Sequence, residues 1–306
     1  RTGFDRLECR LPLSLSIEFD FSYDSTRFFA ENPAARSILE QAGELLGSRI
    51  NDSLSAIVPD VNSANTWSEE FTNPSDGTHV SVSNPTIPAN TIVVYAAGAP
   101  NGAFAGEGGP GGYNASGSTE WNTLVATRGA SGAAGLWGGT LSVNTSTPWG
   151  FADRETTPSP DGYDFFTVAI HELGHILGIG TSDSWKAQVD PSDATFLGVH
   201  AEAMYGGPVP LNRASDVVGE DPGTHWGTGI LSFGLEPSVD VTPLPMGSRK
   251  IFTSLDWAGL QDVGWHVDQA VVTGSPPATT MVGTGFGLTV SIEDPDGRSE
   301  ERRVGE

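Results

Sequence analysis

Positive charge is what this chain has least of. Its 306 residues carry 15 Lys+Arg against 38 Asp+Glu, a formal charge of −23 at neutral pH, and only Lys186 and Lys250 are lysines. Nucleic acid and anionic membranes attract cations, so a basic-patch binder of either kind is excluded. Cysteine is equally scarce: Cys9 stands alone, which excludes an intrachain disulfide scaffold. No apolar run approaches the ~18 residues of a spanning helix, so membrane insertion is not expected. Helical-bundle composition is missing too. The 39 Gly and 21 Pro make about a fifth of the chain against a usual ~12%, which favours loops and tight turns.

What is present is enough apolar material, 37% of residues, for a sizeable core in one large domain or two modest ones. The first residue is Arg1, so a natural start that includes any signal peptide is expected upstream. Arg298 to Glu306 resembles a sequencing adapter translated in frame and is set aside from fold reasoning, the alternative being an ordinary charged tail.

Leu13 to Tyr23 alternates apolar and polar residues and reads as a half-buried strand. Asn32-Pro33 then offers an N-cap with proline in the first turn, ahead of Ile38, Leu39, Ala42, Leu45, Leu46 and Ile50 at helical spacing. Thr91 to Ala97 and Gly139 to Asn144 read as strands. Residues 98 to 118 between them are dense in Gly, Ala and Asn and are expected to form a long surface loop. Asp164 can cap a helix that is apolar on nearly every face and is stopped by Gly178 and Gly180, so this helix should be buried. Thr253 caps a last short helix ended by Gly264. Gly274 to Pro277 reads as a linker, and Gly287 to Glu293 as the start of a strand from a further β domain cut short.

The buried helix contains His171-Glu172-Leu173-Gly174-His175, an H-E-x-x-H. Positions i and i+4 lie one above the other, so both imidazoles can reach a single metal at about 2.0–2.1 Å. Glu172 lies around the helix from them, where its carboxylate can take a proton from water beside the metal. A chance match on a core helix is the plainer explanation. It would leave a polar triplet buried among apolar residues, at a cost of several kcal/mol unless something ligates or hydrogen-bonds it.

Catalytic zinc uses three protein ligands plus water, so two histidines are not enough. The extended motif H-E-x-x-H-x-x-G-x-x-H marks the metzincin class of zinc metalloproteases. This chain matches it through Gly178 and departs at Thr181, where the third histidine is expected. With a displaced third histidine, residues 10 to 268 resemble the leishmanolysin-like metzincins, and without cysteine pairs they are most similar to a bacterial secreted branch. The resemblance implies an α+β, zincin/metzincin-like two-lobed metalloprotease domain with a mixed β-sheet. Its N-terminal lobe would reach about residue 180 and its C-terminal lobe would span 181 to 268. It implies one catalytic Zn2+ on His171, His175 and His225, Glu172 as general base, and Met246 in Leu244-Pro-Met-Gly247 as the Met-turn under the metal. Substrate peptide would then lie antiparallel to an edge strand, expected at Gly139 to Asn144, and the enzyme would act on proteins or peptides outside the cell.

Rival donors remain for the third position. His200 is the main one and Asp183 a weaker one, while His79 and His266 read as incidental. A lone methionine such as Met246 usually fills a gap in a core. Acidic pairs such as Asp161/Asp164 and Glu220/Asp221 could hold Ca2+, but no EF-hand pattern supports it. Two other function classes stay open: a catalytically silent zinc-bearing adhesion or assembly module, and a zinc hydrolase of non-peptide bonds.

Overall fold

Alternation near the start of the chain becomes strand β1 (Ser16–Asp20) in the computed structural model, which describes residues 15–60, 64–100, 104–130, 132–216, 221–273, 289–293 and 299–300. A short helix α1 (Phe28–Glu31) leads into α2 (Pro33–Gly47), whose Ile38, Leu39, Ala42 and Leu46 are buried. Asn32 does not cap α2 through its side chain; its Nδ2 donates to Phe28 O instead. Strands β2 (Thr66–Thr72), β3 (His79–Ser83), β4 (Thr91–Ala99), β5 (Gly106–Pro110) and β6 (Gly112–Ser116) follow, then α3 (Thr119–Thr127), β7 (Gly138–Asn144), β8 (Trp149–Gly150) and β9 (Tyr163–Asp164).

The main sheet has the order β1-β4-β7-β5, with β1, β4 and β7 parallel and β5 antiparallel. β4 lies inside it with almost every residue buried, the environment that a continuous β-branched and apolar run requires. Helix α4 (Phe165–Ile176) packs against β5, β7 and α2. A second sheet, β3-β2-β6, and α3 enclose a smaller core around Trp67, Phe71, Tyr95, Trp121 and Trp137.

The second half is more irregular: α5 (Asp183–Lys186), β10 (Val189–Asp190), β11 (Thr195–Phe196), α6 (Val199–Tyr205), β12 (Val209–Pro210) and α7 (Ser254–Asp262). The principal core runs through both halves, joining Leu39, Ile92 and Phe165 to Trp185, Trp226 and Leu260, so the stretches before and after residue 180 share one interior. Beyond it, β13 (Gln269–Thr273), β14 (Thr289–Glu293) and β15 (Ser299–Glu300) form a small antiparallel sheet. The linker expected at Gly274 to Pro277, and most of the supposed adapter segment, lie outside the described residues.

Two expectations are corrected. Residues 98 to 118 are not a loop: they carry the end of β4 and the strands β5 and β6. Gly139 to Asn144 forms an interior strand, and the edge strand on that side of the sheet is β5. The reason lies in the glycines. An added Cβ at Gly108 would stand 2.5 Å from Glu172 O, and one at Gly106 would stand 2.8 Å from a Val168 methyl. The edge strand lies directly on α4 and has no room for side chains there.

Gly108→Ala is therefore expected to lower stability by about 1–3 kcal/mol through overpacking. Gly109→Ala, where a Cβ meets nothing within 4 Å, should stay within about 0.5 kcal/mol of wild type in urea unfolding.

Candidate metal centre

Helix α4 begins where Asp164 accepts Thr167 N–H at 3.1 Å, and Arg249 pins the same carboxylate through Nε and Nη2 at 2.9 and 2.7 Å. Within the helix, His171 and His175 project from one face, one turn apart. Gly178 then takes φ +111°, a value that L side chains rarely adopt. Just beyond it, Ile179 O lies 2.9 Å from His175 Nδ1. Thr181, at the spacing where a third histidine is usual, donates its hydroxyl to His175 O at 2.6 Å, so it caps the helix end.

The third imidazole comes from the segment after β12. Asn212 clamps it: its Oδ1 accepts both Thr224 N–H and His225 N–H at 2.9 Å, while its Nδ2 donates to Asp221 O at 2.8 Å. Trp226, fully buried, anchors the turn edge-on to Trp185 with ring centroids 4.9 Å apart. Gly180 makes room for this segment, because a Cβ there would stand 2.0 Å from Thr224 O. His225 Nε2 consequently lies 3.1 Å from His171 Nε2 and 3.0 Å from His175 Nε2, and the last two are 3.1 Å apart.

The other histidines lie elsewhere. His200 on α6 is paired through Nδ1 with Asp262 at 2.7 Å, His79 with Glu70 at 3.0 Å, and His266 with Asp52 at 2.7 Å. Asp183 begins α5 with Ser182 as its cap. Met246 does sit in a tight turn, where Ser248 N–H donates to Pro245 O. Met246 is 46% exposed and lines neither cavity beside the histidines.

Each Nδ1 of the cluster has its own oxygen partner. His171 Nδ1 faces Ser238 O at 2.7 Å, and His175 Nδ1 faces Ile179 O. His225 Nδ1 faces Thr224 Oγ1 at 2.9 Å, whose own proton goes to Asp221 O. A carbonyl can only accept, so His171 and His175 carry the proton on Nδ1, and the Thr224 hydroxyl assigns the same tautomer to His225. The three Nε2 lone pairs then point at one another. Burial, reinforced by the neighbouring imidazole of His175, pushes the His171 pKa down to about 3; burial lowers His175 and His225 as well, so none supplies a proton to relieve the contact. Three nitrogens at about 2.0–2.1 Å from one ion stand roughly 2.9–3.4 Å apart as the angle at the ion runs from 90° to tetrahedral. The observed spacing fits, and His171, His175 and His225 are close enough to bind one metal ion.

Two cavities flank the cluster beneath β5. One, of about 320 Å³, is walled by Phe104 to Gly106, Val168, Val241, Pro243 and Leu244 and reaches Lys250. The Lys250 ammonium contacts Asp240 and donates to Thr242 O at 2.8 Å. Burial pushes the Asp240 pKa up to about 6 in spite of that cation. The other cavity, of about 260 Å³, is the more polar of the two, with Glu107, Thr181, Asp221 and Thr224 in its wall. Glu172, almost fully buried, lines both. Comparison with protein-family models, with curated proteins and with solved structures gives no match to this chain.

Four features of the site carry no motif in the sequence: Asn212, the Ser238 carbonyl, Asp256 and the glycine edge of β5. Only Asp256 had a local signal, as the acid three residues after the capping Thr253.

His225→Ala should reduce zinc affinity by more than the about 10–100-fold that losing an outer hydrogen-bond partner costs, whereas His200→Ala should stay within about tenfold of wild type in a chelator-competition titration.

Proposed function

We propose that the chain is a zinc-dependent endopeptidase with a metzincin-like, leishmanolysin-like catalytic domain that works outside the cell. The observation that carries the reading is the joint position of the histidine cluster and Glu172 under β5, the terminal strand of the main sheet. Zinc is the ion of choice for three neutral imidazoles without thiolate or carboxylate donors. When bound, it acidifies water and polarises a carbonyl.

The chain's own residues supply the rest. The backbone of β5 is paired only on the β7 side among the described residues, so an extended peptide can add to its outer edge. Orientation follows from which residues of this segment meet each cavity. Phe104 and Gly106 border both cavities, Ala105 meets only the apolar one of the two, and Glu107 and Gly108 only the more polar one. A peptide antiparallel to β5 therefore runs from the polar cavity to the apolar one. The side chain before the scissile bond lies near Glu107 and Asp221, and the one after it enters the space walled by Val168, Val241 and Leu244. Glu172, between the two, takes the proton from the attacking water and returns it to the leaving amine. A buried carboxylate beside both cavities suits that exchange, because bulk water does not compete for the proton.

Cleavage of an unfolded protein substrate is expected to require zinc and to fall before large apolar side chains. Glu172→Gln should lose about 10²–10⁴ in kcat while retaining stoichiometric zinc. Mass-spectrometric mapping of the products and metal analysis of the variant check the two parts. Equal turnover by the variant contradicts the mechanism, and turnover of esters or amides with none of peptides would favour a non-peptide hydrolase.

A further inference from the structure

Helix α7 carries no ligand, and its third residue nevertheless touches the segment that bears His225 and the segment that faces His171. Asp256 is completely buried. Its Oδ2 accepts Thr253 N–H at 2.7 Å, the Thr253 hydroxyl at 2.8 Å and Ser238 N–H at 2.9 Å. Its Oδ1 accepts Trp226 Nε1–H at 3.0 Å and Val239 N–H at 3.1 Å. Both oxygens are thus filled by donors, and none of these donors is a cation. Helix capping accounts for the two bonds from Thr253 and for no others.

The other three bonds converge on the metal centre from two sides. Ser238 presents the carbonyl that faces His171 Nδ1 at 2.7 Å; the N–H of that same peptide group is Val239 N–H, so its bond to Asp256 Oδ1 holds the peptide plane, and the Ser238 N–H bond to Oδ2 holds the peptide before it. Trp226 directly follows His225, and its backbone is tied to the same stretch, with Trp226 N–H donating to Val239 O at 3.0 Å and Val241 N–H to Trp226 O at 3.1 Å. One carboxylate therefore sets the distance between the His225 turn and the carbonyl that orients His171.

We infer that Asp256 is a positioning residue for the metal centre, holding His171 and His225 in register through Ser238 and Trp226. The inference rests on the three-histidine metal reading. It requires that an amide be a poor substitute, because replacing one oxygen by NH2 sets a donor against two or three donors and leaves buried groups unpaired.

The test measures zinc affinity of full-length variants by competition with a chelating dye, with the visible spectrum of the cobalt-loaded protein as a geometric readout and urea unfolding of the metal-free protein as the stability control. Asp256→Asn should lose about 10–100-fold in zinc affinity, the range for partners that orient ligating imidazoles, and should shift the cobalt spectrum. Thr253→Ala weakens the helix cap but leaves the Ser238, Val239 and Trp226 bonds, so it should lower the unfolding midpoint and keep affinity within about threefold. Trp226→Phe removes the Nε1 bond and keeps an aromatic ring, though a smaller one, and should cost roughly threefold or more in affinity. Wild-type affinity and spectrum in folded Asp256→Asn overturn the inference, as does a Thr253→Ala loss equal to that of Asp256→Asn. Should Asp256→Asn fail to fold, wild-type affinity in Trp226→Phe overturns it instead. Wild-type protein that takes up no zinc would defeat the metal reading itself, a separate result.

Discussion

Three imidazole nitrogens with their lone pairs facing inward, 3.0–3.1 Å from one another, form the contact on which the rest of this structure depends. In a buried setting such a contact is repulsive, and protonation is the usual escape. Here burial lowers all three pKa values and each Nδ1 is committed to an oxygen, so that escape is closed. A divalent cation among the three nitrogens would turn the same repulsion into attraction. The cost of assembling the cluster without it is met by the packing around it: a helix buried on nearly all sides, a turn anchored by Trp226, and one core running through both halves of the chain.

The polar surroundings follow one pattern. Every group that fixes a ligand is itself fixed by a further partner: Ile179 O by the turn at Gly178, Thr224 Oγ1 by Asp221 O, the His225 backbone by Asn212, and the Ser238–Val239 stretch by Asp256. Hydrogen bonds of this kind add about 0.5–1.5 kcal/mol each to stability, and losing one leaves a buried group to be desolvated without return. Their value lies in geometry, because a ligand misplaced by a few tenths of an ångström gives up part of the metal's binding energy. The apolar and polar cavities then impose a direction on whatever lies along β5.

Much of this was legible in the sequence wherever the signal was local. His171, Glu172 and His175 share one helix turn, Asp164 and Thr253 stand at helix starts, and the β-branched run from Thr91 announces a strand. The strand β5 was not legible, because strand recognition relies on side-chain alternation and Gly106-Glu-Gly-Gly-Pro110 has almost none. The need for those glycines arises from a helix more than fifty residues later in the chain. Asn212 was silent for the same reason, since its partners lie 9 to 13 residues later, and the capping signal at Asp256 gave no hint of its bonds to Trp226, Ser238 and Val239, 17 to 30 residues earlier.

X-ray absorption at the zinc edge, on protein refolded with one equivalent of zinc, tests the central claim most directly. The account predicts three imidazole nitrogens at about 2.0–2.1 Å with one further light-atom ligand and the multiple-scattering pattern of three rings. A shell fitted by two imidazoles and a carboxylate, or by oxygen ligands alone, would contradict it.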